Sequence, residues 1–208
     1  MGYFVYEELP EEIESNYFTK IETIENLKEK LQINKNDLQT IIQKDIYEST
    51  KIEGNTLTAK EVTLYLQSNI TIRGKSLRDY LQVSNYKNVL DVLGQWVKSD
   101  DTKLTEELIL YIHKMITNNE LSDKESGHYR DDFVHIRTTS YIPPDSIEIE
   151  EDMQKLIDEY NSPLKPGYTM FEKICEFKRN FERIHPFFDG NGRTGRVLMN
   201  TLFLQNGY

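Results

Sequence analysis

Residues 185 to 196 read HPFFDGNGRTGR and set a histidine, a carboxylate, an amide and two arginines around three glycines. Gly190 and Gly192 allow a backbone to approach a ligand closely, and N–H groups at the start of a helix opening near Arg193 suit an anion, phosphate above all. Arg193 and Arg196, three apart on a first helical turn, can hold separate phosphate oxygens. Asp189 offers a hard oxygen to Mg²⁺, which needs only one or two carboxylates when substrate phosphates and water complete its shell. His185, with an ordinary pKa of about 6.5, is free near neutral pH to take a proton from a hydroxyl attacking phosphorus. Asn191 can donate to a non-bridging oxygen whose charge grows in the transition state. A calcium loop does not fit, because the twelfth residue from Asp189 is Asn200 where a bidentate Glu is needed. Nor does any G-x-x-x-x-G-K-[ST] phosphate loop occur.

Such a cluster needs a helix on either side. The spacing predicts an amphipathic helix over 169–184, with Phe171, Ile174, Cys175, Phe177, Phe181 and Ile184 on one face and Pro186 stopping it after His185. Further helices are predicted from a Thr58/Glu61 capping box, from Ser76 to Trp96, from Thr105 through Met115, and over 148–160. Asp37 is expected to cap a helix over about 37–54 with the stripe Leu38, Ile42, Ile46, Ser49, Glu53, and Gly54 to end it. That stripe places the Glu53 carboxylate where an apolar face is buried, which is costly unless a cation meets it; an arginine of the 185–196 cluster is a fitting partner. The stretch FVHIRTTSYIPP, residues 133 to 144, alternates like a strand around a polar turn and predicts one β-hairpin, whose edge an extended peptide could join.

The expected fold class is therefore mostly α, a helical bundle with one hairpin. A chain of 208 residues with 38% hydrophobic residues is one compact unit, and a formal net charge of −10 argues against a nucleic-acid partner. Cys175, the single cysteine, forms no intramolecular disulfide, and no apolar run reaches the length of a signal-peptide core or membrane span, so a soluble cytoplasmic protein is expected. His113, inside an apolar helix, is expected to be a core or boundary residue, and no histidine pair has the spacing of a structural zinc site.

HPFFDGNGRTGR resembles the Fic family signature HPFx[DE]GNGRxxR at every fixed position, and the resemblance extends through TIRGKSLRDYLQVSNYKNVL, the GHYR segment at 127–130 and the stretch ending in Pro143 and Pro144. It implies transfer of AMP from ATP to a Tyr, Thr or Ser hydroxyl of a target protein, with pyrophosphate released. His185 would be the base, Asp189 the Mg²⁺ ligand and Asn191 the donor to the α-phosphate. Gly190 and Gly192 would form the anion hole, and Arg193 and Arg196 would hold the β- and γ-phosphates. Ile136, Arg137, Thr138, Thr139, Ser140 and Tyr141 would form a flap on which the target segment lies. Gly192 stands where the kinase-like Doc branch usually has Lys.

Ser49 to Gly54 reads STKIEG and is similar to the family's inhibitory [ST]xxxE[GN] helix, which implies that Glu53 pairs with Arg196 in the place of the γ-phosphate. Relatives of this inhibited kind also imply the reverse reaction, hydrolysis of an AMP-protein bond. The expected division is 1–75 for the N-terminal helical segment and 76–208 for the catalytic core. Relatives continue into further helices beyond this point, so a fragment of a longer protein is expected. Two other readings stay open: transfer of a different phosphate-containing group, and nucleotide sensing without turnover. Self-modification and a homo-oligomer also stay open.

Overall fold

The computed structural model describes residues 35–97, 103–136 and 141–208. Seven α-helices occur among them: α1 Lys35–Ile52, α2 Ala59–Ser68, α3 Leu77–Trp96, α4 Glu106–Ile116, α5 Ile149–Asn161, α6 Met170–Ile184 and α7 Asn191–Gln205, with a 3₁₀ turn Ser146–Glu148 leading into α5. Their starts follow the capping chemistry. Thr58 and Glu61 close a capping box at α2, Thr169 and Glu172 a second at α6, and Thr105 accepts from the Leu108 N–H at α4. Ser76 caps α3 by accepting from Asp79 N at 3.1 Å while donating to Asp79 Oδ2 at 2.8 Å. Helix α1 begins ahead of the expected Asp37 cap, and Gly54, at φ +92°, turns the chain just after its end.

Helix α7 is the hub, packing most extensively on α6 and also touching α1, α3 and α4. A helix touched from four sides needs no single apolar stripe, which is why polar and small residues such as Asn191, Thr194 and Thr201 are buried along it beside Val197, Leu198 and Leu202. Ile46 of α1, Tyr86 of α3, Ile112 of α4 and Phe181 of α6 converge on this helix with almost no exposed surface. The catalytic-type loop is thus fixed at both ends by buried helices.

The expected β-hairpin is not formed: no strand occurs among the described residues, and 133–136 and 141–145 have no ladder between them. Pro143 and Pro144 have no N–H to give to a ladder. A buried arginine joins the segment to its surroundings instead. Arg130 donates from Nη1 to Asp132 O at 2.9 Å, from Nη2 to Pro144 O at 2.7 Å and from Nε to His185 O at 2.9 Å. Arg137, Thr138, Thr139 and Ser140 of the expected flap lie outside the described residues, as do the first 34 residues of the chain. Ile136 is half-buried on the wall of the main cleft, and the ring of Tyr141 lies 5.0 Å from the Arg183 guanidinium.

Candidate active site

The turn between α6 and α7 is shaped by two left-handed residues. His185 ends α6 at φ 50°, ψ 59°, with its N–H on Phe181 O, and Gly190 precedes α7 at φ 84°. A Cβ at Gly190 would stand 2.8 Å from Thr117 Cγ2 and 3.3 Å from His113 Nε2, so both conformation and space require glycine. Asn191, expected to donate to the α-phosphate, opens α7 and closes the turn before it. Its side chain is 2% exposed and spans the turn, accepting from Phe187 N at 2.9 Å and donating to Phe187 O at 2.7 Å. Asn191 therefore holds the shape of the loop, and the N–H groups of the first α7 turn, which have no intrahelical acceptor, are the anion-facing feature that the sequence led one to expect.

Arg193 and Arg196, expected to hold separate phosphate oxygens, rest on different carboxylates, and Arg193 also lines the main cleft. Arg193 is 1% exposed, and its Nη1 donates to Glu120 Oε1 at 2.7 Å. Glu120, equally buried, also accepts from Gln82 Nε2 at 3.1 Å. Arg196 turns the other way, donating from Nη2 to Glu53 Oε1 at 2.6 Å and to Ser49 O at 2.9 Å. Gly192 belongs to the same contact: a Cβ there would collide with Glu53 Oε1 and stand 3.1 Å from Arg196 Nη1. The Glu53 carboxylate is thus seated on the first turn of α7, where helix dipole and guanidinium both favour an anion.

Glu53 is held there from both sides. Before it, Ser49 is buried and shares a 2.9 Å hydrogen bond with Tyr86 OH, while Asn200 Nδ2 donates to Asp45 Oδ1 at 3.1 Å. Burial raises the Asp45 carboxyl above its usual range, against the lowering effect of these hydrogen bonds. After it, Asn55 donates to Asp79 O and Gln82 Oε1, both at 2.9 Å, and accepts from Leu57 N.

An open cleft of about 660 Å³ joins Glu53, His185, Asp189, Gly192 and Ile136, and an adjoining chamber of about 350 Å³ shares Glu53, Arg78 and Gln82 with it. His185 is half-buried; desolvation holds its pKa below the ordinary histidine value, aided by the Arg130 cation and opposed by Glu182 and Glu53. Its Nδ1 has no hydrogen-bond partner. Asp189 directs Oδ1 to Gly190 N at 2.6 Å and Oδ2 to Arg78 Nη2 at 3.1 Å. No group of three or more His, Cys, Asp or Glu side chains fit to hold a metal occurs among the described residues. Asp189 nevertheless suits a Mg²⁺ that draws its other ligands from phosphate and water, since its partly exposed carboxylate already carries a cation from the cleft side.

Three supporting residues escaped the sequence reading. His113, expected in the core, is fully buried and also fixes the loop. Its Nδ1 accepts from Gly127 N and its Nε2 donates to Asp189 O, both at 2.9 Å, while its ring stacks on Phe187 at 3.6 Å and 2°. Burial pushes its pKa down to about 4 despite the Asp189 carbonyl, with Arg193 adding to the decrease. Glu120 and Arg78 were also missed, because each meets the loop across a long sequence separation that no local spacing betrays.

The arrangement defines a class: a helical protein with an anion-receiving turn at the start of its central helix. Residues 103–203 match the Fic/DOC family. Proteins named "Protein adenylyltransferase Fic" from Drosophila willistoni and Drosophila melanogaster are each 30% identical over 170 residues, 78% of this chain and 32% of theirs. The chain thus spans about a third of the length of these curated relatives. Fic-1 from C. elegans superposes with a TM-score of 0.83 at 22% identity, over 94% of this chain and 59% of that one. A Fic-domain-containing signaling protein from Bacteroides thetaiotaomicron gives 0.77 at 28% identity, over 90% and 74%. Glu53 lies outside the matched residues. Among the described residues no helix is long and apolar enough to cross a membrane.

Proposed function

We propose that the protein transfers AMP from ATP to a protein hydroxyl and that Glu53 holds this activity in check. The observation that carries the proposal is the Glu53 carboxylate seated between Arg196 and the Gly192 backbone at the α7 N-terminus, the place an incoming phosphate needs. The names of the adenylyltransferase relatives point to the same group transfer.

In the proposed reaction His185 takes the hydroxyl proton as the oxygen bonds to the α-phosphorus. The bond from that phosphorus to the bridging oxygen breaks, and pyrophosphate leaves with the electron pair. A half-buried imidazole kept neutral by desolvation suits this base. The α7 N–H groups stabilise charge on the α-phosphate oxygens, and Arg196, once Glu53 leaves, receives the distal phosphate. Mg²⁺, held by Asp189 together with the phosphates, would neutralise charge on the departing pyrophosphate. Arg193, balanced by Glu120, and Asn191, closed on Phe187, keep the turn rigid. Residues 133–136 flank the cleft as the region where a target segment would lie, and Tyr141 lines a separate pocket with Pro144 and Arg183. In the same reading a cytoplasmic location is expected, residues 1–75 form the regulatory segment, and water positioned by wild-type Glu53 would reverse the modification.

Label transfer from α-labelled ATP with Mg²⁺ tests this in wild type, Glu53→Gly and Glu53→Gly with His185→Ala. Strong labelling of self or lysate in the single variant, at least tenfold above the other two, is expected. Equal labelling in wild type and Glu53→Gly would remove the brake; no labelling in any would turn attention to other phosphate-containing donors or to sensing without turnover.

A further inference from the structure

Arg78 stands on the first turn of α3, between the capping residues Ser76 and Asp79, and its side chain forms the wall shared by the main cleft and the adjoining chamber. Its Nη2 lies 3.1 Å from Asp189 Oδ2, and its Nε lies 3.7 Å from Glu120 Oε2. Glu120 is already matched by Arg193 at 2.7 Å, in a pair that is 2% and 1% exposed. Asp189 has no other basic side chain within ion-pair distance among the described residues. Its Oδ1 is committed to the Gly190 N–H, which fixes the orientation of the carboxylate and leaves Oδ2 to the cation.

We infer that Arg78 is the resident cation of Asp189 in the nucleotide-free protein, holding the metal position until a divalent ion replaces it. The inference rests on the proposed nucleotide chemistry of this site. A guanidinium and a divalent cation on one carboxylate oxygen repel strongly, so the two exclude each other. The contrast with Arg193 decides which arginine is exchangeable. Removing Arg193 from Glu120 would strand a buried charge, whereas the Arg78 side chain is 63% exposed and that of Asp189 40%, so breaking this pair returns both groups to water at little cost. A weak, solvated pair suits a place-holder: it keeps Asp189 oriented without competing severely with the metal. Arg78 is a positioning residue in this account.

The test uses Mn²⁺ alone, titrated into the full chain, with the free ion followed by electron paramagnetic resonance. Arg78→Ala is expected to lower the half-saturating Mn²⁺ concentration about two- to fivefold, the size an exposed ion pair can contribute. Arg78→Lys should stay near wild type, and Asp189→Asn should abolish the site. An unchanged or raised half-saturation in Arg78→Ala, Mn²⁺ binding that ignores Asp189→Asn, or no binding in wild type and Arg78→Ala alike would overturn the inference. Because the readout needs neither ATP nor turnover, a Mn²⁺ shift without label transfer in Glu53→Gly sinks the transferase reading and leaves the exchange standing. Transfer without a shift does the reverse.

Discussion

At the scale of single residues, Gly192 and His185 carry the sharpest expectations. An added methyl at Gly192 would fill the spot that Glu53 Oε1 now occupies and that, in the proposed reaction, a phosphate oxygen takes. Gly192→Ala in the Glu53→Gly background is therefore expected to reduce label transfer tenfold or more through weaker ATP binding, which calorimetry with a non-hydrolysable analogue checks. Burial lowers the His185 pKa, so the protonated form gains ground only below the ordinary value of about 6.5. The acid limb of Glu53→Gly transfer should thus be centred below that pH; a limb centred at or above pH 7 would remove His185 as the base. These two residues were legible from the twelve-residue cluster because their chemistry depends on type and spacing. Asn191 was legible as a site residue but not in its orientation, since nothing in the spacing says whether an amide turns outward to a ligand or inward to Phe187.

Elements set the position of these groups, and the buried ion pair between α7 and the turn after α4 is the strongest tie. Glu120→Ala would leave the Arg193 guanidinium buried without its carboxylate, and a loss of about 3–5 kcal/mol of stability is expected, read by urea unfolding. A change below 1 kcal/mol would show that Arg193 finds water or another partner. The helices themselves were readable: the capping box at Thr58, the helix starts at Thr169 and Thr105 and the Pro186 stop all fall where α2, α6, α4 and the loop require them. The hairpin was not, because alternation of Val134 and Ile136 speaks only of which faces are apolar. Whether a ladder forms depends on pairing partners, and here Pro143 and Pro144 have no N–H to give while Arg130 takes the Asp132 and Pro144 carbonyls. The burial of His113 was legible but its contact with the loop was not: an apolar helical stripe marks burial, while the contact of its Nε2 with Asp189 O spans 76 positions of sequence.

For the whole molecule, His113 links acidity to folding. Its folded pKa, about 4, lies below the unfolded value of about 6.5, so the native state binds fewer protons between these limits. Its contribution is complete above pH 6.5, declines as pH falls toward 4 and levels off below, amounting to roughly 3 kcal/mol. Arg193 and His128 reinforce the depression and Asp189 opposes it. Urea unfolding at pH 7.5, 5.5 and 4 should follow this decline, and His113→Gln should flatten it. Charge is also organised on this scale. Arg78, Arg193 and Arg196 each rest on a carboxylate, of Asp189, Glu120 and Glu53, although the chain as a whole carries a net charge of −10. The cleft is consequently an ion exchanger near electroneutrality. In the proposed reaction a polyphosphate would take the place of Glu53 on Arg196 and its metal the place of Arg78 on Asp189, with the displaced side chains returned to solvent. If the proposed exchange holds, a monophosphate, which brings less charge and no distal phosphate for Arg196, is expected to bind more weakly than a triphosphate, so the resting pairs would sort nucleotides by the length of their phosphate chain before any base is read.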